Sequence, residues 1–162
     1  MIKKIFELID NAKRILIITH VNPDGDTLGS ACALKSFIGG RADILLQLPC
    51  GKKYPETYEF LPYLKEAKTL ENVQNIYDTV ICVDVASIDR VVENARDIFN
   101  SAGVTINIDH HKTNKGFAMY NHVLGGISSA GEVLYEMFEK NGIEITPEVA
   151  RCLYVSILTD TG

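Results

Sequence analysis

The sequence has no Cys-x-x-Cys pair, no excess of basic charge, no apolar run of membrane-spanning length, and no repeat or low-complexity tract. Each absence removes a class of protein. Four cysteines occur, Cys32, Cys50, Cys82 and Cys152, and at least three sit in hydrophobic segments, so they read as buried free thiols of a reducing compartment. A net charge of −5 excludes a passive basic surface for duplex nucleic acid. Phosphate substrates remain open, because acids that belong to a metal site have their potential inverted by the ions. No apolar stretch approaches the ~20 residues needed to cross a bilayer. Met1-Ile2-Lys3-Lys4-Ile5 begins an amphipathic pattern too short and polar for a signal peptide. The expected location is the cytoplasm, with no membrane partner. What remains is a chain of 162 residues, 46% hydrophobic and 23% charged, the balance of one ordinary globular domain.

Hydrophobic periodicity gives the elements. Ile2, Ile5, Phe6 and Ile9 mark one face of a helix that stops near Asn11. Arg14 to Thr19 is a β-branched run suited to a strand buried on both faces, and it delivers His20 into a turn containing Pro23 and Gly25. A helix with Leu28, Ala31, Leu34 and Ile38 follows from Thr27 and stops at Gly39-Gly40. Further strands are expected over Ala42–Leu48, Thr79–Val83 and Val104–Ile108, with a loop of short helical pieces from Pro49 to Lys68 and a crossover helix over Val91–Asn100. Ser129-Ala130-Gly131-Glu132 matches a capping box opening a helix, and Thr146-Pro147 opens another by N-cap and N1 preference. The alternation implies an α/β fold, a doubly wound and mainly parallel sheet with helices on both faces. The chain ends on Thr161-Gly162 directly after an apolar helix and an acid, so a second domain is expected beyond it.

Four short segments carry the chemistry: His20-Val21-Asn22-Pro23-Asp24-Gly25-Asp26, Val83-Asp84, Asp109-His110-His111 and Thr159-Asp160-Thr161-Gly162. Each falls where a hydrophobic element ends, which is where an α/β fold exposes functional loops. Singly they have plainer readings. Asp26-Thr27 can cap the following helix, and Asp84 can cap a turn. His122, in a loop, reads as a surface residue. The pair His110-His111 is harder to explain by packing, since burying it requires partners for several ring nitrogens. Asp160 stands at a helix C-terminus, where the macrodipole disfavours a carboxylate unless something such as a metal compensates. Taken together, so many like charges need bridging cations. Hard oxygens with one imidazole per ion suit manganese or magnesium better than structural zinc, and two such ions can activate a water for phosphate-ester hydrolysis.

His20-x-x-x-Asp24-x-Asp26, Asp84, Asp109-His110-His111 and Asp160 together resemble the four motifs of the DHH phosphoesterases, over essentially the whole chain. Asp109-His110-His111-x-x-Asn114 resembles the branch containing nanoRNases, 3′-phosphoadenosine-5′-phosphate (pAp) phosphatases, RecJ-type exonucleases and cyclic-dinucleotide phosphodiesterases. Asn22-Pro23-Asp24-Gly25-Asp26 and Ser128-Ser129-x-x-Glu132 look most like the short-oligonucleotide and pAp subgroup.

The resemblance implies two divalent cations, manganese with magnesium as the alternative. His20 and Asp24 would bind one; Asp26, His110 and Asp160 would bind the other; Asp84 would bridge them. It implies catalytic roles for Asp84, His111 and Asp109, with His111 on the scissile phosphate and Asp109 orienting the His110 ring. His111, Asn114 and Arg90 are the expected substrate contacts; Arg90, Lys112 and Lys115 are equally readable as solvated charge. The implied partner is a short single-stranded oligonucleotide or nucleotide, and the implied assembly a homodimer. Residues 1–162 would be the DHH catalytic domain. Family members carry a C-terminal, DHHA1-like substrate-binding domain, which these residues do not contain. Two other readings stand beside this one. One is a family II inorganic pyrophosphatase, which shares the four motifs, and the other a non-catalytic module that binds metal or nucleotide.

Overall fold

The computed structural model describes residues 1–49 and 52–162; Cys50 therefore lies outside the described residues. In chain order the elements are α1 (Ile2–Asn11), β1 (Ile15–Val21), α2 (Gly25–Ile38), β2 (Ala42–Gln47), β3 (Thr79–Val83), α3 (Glu93–Ser101), β4 (Val104–Asp109), β5 (Tyr120–Val123), α4 (Ala130–Lys140) and α5 (Pro147–Thr161). The five strands form one parallel sheet in the order β2-β1-β3-β4-β5.

Period-two alternation along the strands builds two cores. Ile15, Ile17, Ile81, Val83, Ile106 and Ile108 point to the face covered by α1, α2, α4 and α5. Leu16, Ile18, Val80 and Cys82 point to the other, covered by Ala95, Ile98 and Phe99 of α3. Both faces being covered explains why the strands read as continuous apolar runs. The chain leaves β1 through α2 on one face and β3 through α3 on the other, so the neighbours β1 and β3 form the switch point of a doubly wound sheet, where a crevice opens at the strand C-termini.

Three helices meet closely beneath that crevice. A Cβ built on Gly29 of α2 would stand 2.6 Å from the Cys152 carbonyl oxygen of α5 and 2.8 Å from Ser156 N, so only glycine lets the two backbones approach this far. Gly131 at the start of α4 likewise makes room for the Ser156 side chain.

Several expectations are corrected. His20 lies inside β1, because Val21 still pairs with Gln47 of β2, and the turn begins after it. Helix α2 opens at Gly25, two residues before Thr27; Asp24 caps it, accepting from Asp26 N (3.1 Å) and Thr27 N (3.2 Å). Asp26 is left inside the first turn with its carboxylate free for another partner. The capping box is displaced by one residue. Ser129 Oγ accepts from Glu132 N, but the Glu132 carboxylate accepts from Ser128 N (2.9 Å) and Ser128 Oγ (2.6 Å). Strand β5 was not expected, and it carries His122 opposite Ile108. His122 is half-buried rather than a surface loop residue, and its Nε2 is sealed from solvent with no partner among the described residues. Cys32, Cys82 and Cys152 are buried free thiols. No helix among the described residues is long and apolar enough to cross a membrane.

Candidate metal centre

All four acidic and histidine-bearing segments converge at the strand C-termini around a cavity of about 450 Å³ lined by His20, Asp24, Asp84, Ala86, Arg90, His110, His111 and Asp160. Asp84 is at its centre. The residue follows β3 with φ 57°, a left-handed conformation that Asp tolerates better than most side chains, and it is only 3% exposed. Its two oxygens face opposite ways. Asp84 Oδ2 is 3.5 Å from His20 Nε2, which is also 3.6 Å from Asp24 Oδ2. Asp84 Oδ1 is 3.5 Å from His110 Nε2, and that nitrogen also stands 3.5 Å from Asp26 Oδ2 and 3.6 Å from Asp160 Oδ2.

Backbone carbonyls aim both rings. His20 Nδ1 donates to Val21 O (2.8 Å) and His110 Nδ1 to Ile127 O (3.2 Å), so each Nε2 faces inward toward the carboxylates. The expected pairing of Asp109 with His110 is corrected here. Asp109 Oδ1 instead lies 2.7 Å from His111 Nδ1, and Asp109 Oδ2 accepts from Asn114 Nδ2 at 2.7 Å. Asn114, expected as a substrate contact, is bonded within the protein. Its amide nitrogen also faces Asn107 Oδ1 (2.7 Å) and Val85 O (3.1 Å), and its oxygen accepts from Gly116 N (2.8 Å). Its amide is used inside the protein to order the loop after β4, and it does not line the cavity. Arg90 does line it, from the exposed rim. Gln47 anchors that rim through Val92 N (2.6 Å).

Sequence reading missed the environment of Asp26. This carboxylate, 2% exposed, accepts from the α4 N-terminal groups Ala130 N (2.8 Å) and Gly131 N (3.2 Å), from Ser30 Oγ (3.3 Å) and from Ser156 Oγ. A buried acid is stabilised there by free helical N–H groups and the positive end of the α4 dipole. The only signal in the sequence was the capping residue Ser129, which announces the helix but not the acid it receives.

The electrostatics are those of acids crowded around a site for positive charge. Burial pushes Asp26 up to about 6, and the neighbouring Asp84 charge adds to it. Burial opposes the charge on His20, yet its contacts with Asp24 and Asp84 win and raise it to about 10. Asp84 is the leading cause of the rise of His110 to about 9. Burial also works against the Asp24 charge, but His20 and the helix N–H groups hold its carboxyl below the usual range. His111 is raised chiefly by its hydrogen bond to Asp109.

The donor set, carboxylate oxygens with imidazole nitrogens, fits divalent cation binding. His20, Asp24 and Asp84 offer three ligand atoms within 4.8 Å of one another, and so do Asp26, His110 and Asp160. Donor atoms ~2.1 Å from a common ion stand roughly 3–3.6 Å apart, the spacing seen here. Asp84 Oδ1 is sealed from solvent and accepts no hydrogen bond among the described residues. A buried carboxylate oxygen without a donor is costly, and a cation supplies what it lacks.

With this geometry in view, residues 14–157 match the profile of the DHH family, N-terminal domain. The chain belongs to the DHH family. A bifunctional oligoribonuclease and PAP phosphatase NrnA from Thermus thermophilus is 33% identical over 91% of this DHH chain and 43% of its own length. A manganese-dependent inorganic pyrophosphatase from Methanothrix thermoacetophila is 29% identical over 93% of the chain and 48% of its own. The crystal structure of an exopolyphosphatase-related protein from Bacteroides fragilis superposes with a TM-score of 0.89 at 26% identity, covering 99% of this chain and 50% of that one. The DHH chain thus spans about half the length of the curated relatives it matches.

Proposed function

We propose that this DHH domain is a two-metal phosphoesterase acting on short oligoribonucleotides, pAp or a related dinucleotide, with manganese as its ion and magnesium as the alternative. The observation that carries the reading is Asp84, whose two carboxylate oxygens each face a separate His–Asp group. His20, Asp24 and Asp84 would hold one ion, and Asp26, His110, Asp160 and Asp84 the other. When bound, such ions lower the pKa of water and neutralise charge on phosphoryl oxygens.

The chain's own residues supply the rest. Asp109 anchors His111 by Nδ1, so the opposite nitrogen is free to donate to a phosphate oxygen as charge builds there. Asn114 supports Asp109 from behind, which makes it a positioning residue. Arg90 adds a cation on the rim that attracts an anionic substrate. The buried network around Asp26 keeps one carboxylate in place with little freedom to lose on binding.

A pyrophosphatase reading has one specific observation in its favour, the 29% identity to a manganese-dependent inorganic pyrophosphatase. Against a purely binding role stands the completeness of the donor set, since every acid and imidazole of both groups is present. The deciding experiment is manganese-dependent hydrolysis of a short RNA panel, pAp and pyrophosphate, using the wild type and Asp84→Ala. Turnover of RNA or pAp that is lost in the variant supports the proposal. Turnover of pyrophosphate alone favours the second reading, and normal binding of two manganese ions by Asp84→Ala would sink the site assignment.

A further inference from the structure

A second depression adjoins the metal cavity. It has a volume of about 290 Å³ and is lined by Ala86, Ser87, Ile88, Thr113, Lys115, Gly116 and Phe117. Ala86 lines both, so the two spaces are neighbours along the rim. One wall is the loop after β3 and the other the loop after β4. A ligand whose phosphate lay against His111 would therefore extend between these loops.

The walls are held in shape by the protein itself. Asn114 Oδ1 ties Gly116 N at 2.8 Å, and Asn121 Oδ1 accepts from both Phe117 N and Ala118 N at 3.1 Å. Across the gap, Ser87 Oγ accepts from Asp89 N at 3.2 Å and closes the turn carrying Ile88. Ile88 and Phe117 are each half-buried against the α3-side core, and Phe117 is backed by Phe99 at 5.7 Å between ring centroids. Their remaining apolar surface faces the depression. Thr113 Oγ1 and the exposed Lys115 Nζ have no hydrogen-bond or ion-pair partner among the described residues. The depression thus combines a fixed apolar wall, one free hydroxyl and one free cation, a few polar groups on a largely preformed surface as small-ligand sites show.

Resting on the phosphoesterase reading, we infer that this depression is the nucleoside subsite: Ile88 and Phe117 take the base attached to the scissile phosphate, and Lys115 takes the adjoining phosphate. A base stacks on an aromatic and apolar wall whatever its sequence, and a lysine neutralises a backbone phosphate as a point charge. Inorganic pyrophosphate has no group for this wall. The depression is therefore a specificity element favouring nucleotides.

The test is a calorimetric titration of the manganese-loaded protein with AMP and, separately, with ribose 5-phosphate, which differs by the missing base. The wild type, Ile88→Gln and Lys115→Ala are compared, with thermal melts to establish folding; Lys115 is exposed, so that variant does not depend on the core. The expected result is AMP bound about tenfold more tightly than ribose 5-phosphate, with that advantage removed by Ile88→Gln and kept by Lys115→Ala, which instead raises the KM for pAp, the ligand that carries a second phosphate. Equal binding of the two ligands, or an AMP advantage that survives Ile88→Gln, overturns the subsite and leaves the phosphoesterase reading intact. Failure of both ligands to bind overturns the subsite and counts against that reading as well.

Discussion

Asp109 holds His111, not His110: its Oδ1 stands 2.7 Å from His111 Nδ1, while the adjacent His110 takes its orientation from the Ile127 carbonyl. The two neighbouring histidines are thus held by different partners. His110 turns its Nε2 to Asp26, Asp84 and Asp160, and His111 is the ring proposed above to meet the substrate. Replacing Asp109 with Asn should therefore leave manganese binding nearly unchanged and lower kcat by about 100-fold, the scale for losing a group that orients a site residue. Parallel calorimetry and steady-state kinetics separate the two effects. A loss of metal comparable to the loss of rate would mean that Asp109 acts on the ligands instead.

Asn114→Ala should act on stability before it acts on substrate affinity. The side chain links Asp109, Asn107, Val85 and Gly116, and its loss strands buried acceptors at a cost of about 1–3 kcal/mol. A lowered melting midpoint with a KM close to wild type is expected. A raised KM in a protein of normal stability would restore Asn114 as a substrate contact.

Metal loading should release protons. In the metal-free protein His20 and His110, raised to about 10 and 9, are charged at neutral pH and occupy the place of the cations. Two metals must displace about two protons at pH 7, so apparent manganese affinity rises with pH. Titrations in buffers of different ionisation enthalpy count those protons, and a pH-independent affinity would contradict the geometry. The sign for folding is opposite. Both histidines have folded pKa values above the unfolded 6.5, so their contribution to metal-free stability is complete below pH 6.5 and is lost as pH climbs through about 9 to 10. Melts across this window, with and without manganese, should show the metal-free protein weakening at high pH.

Gly29→Ala reverses the usual helix rule. In an exposed helix interior the change gains about 1 kcal/mol from propensity. Here the new Cβ meets the Cys152 carbonyl oxygen at 2.6 Å and Ser156 N at 2.8 Å, both of them backbone. Overpacking of this kind costs about 1–3 kcal/mol and should win. Because Ser156 binds Asp26 and α5 carries Asp160, weaker manganese binding should accompany the lower melting midpoint. A stabilised variant would show that α2 and α5 are less tightly apposed.

The β-branched runs of β1, β3 and β4, the N-cap at Ser129 and the Thr146-Pro147 start all spoke for themselves in the sequence, because burial on both sheet faces and local capping leave short-range patterns. The residues of the candidate centre were legible for a related reason: acids and imidazoles placed at strand ends have few uses in packing. Strand β5 left no such trace. Tyr120 to Val123 is half-buried throughout at the sheet edge and has neither an apolar run nor a clean alternation. The partners of each site residue were equally hidden. Asp26 finds Gly131 and Ser156 more than a hundred positions along the chain. The choice of Asp109 between two adjacent rings depends on where Ile127 brings its carbonyl. Which residues could bind ions follows from side-chain chemistry, which is local; which atom faces which depends on the packing of α2, α4 and α5 against one another, and that exists only in the folded chain.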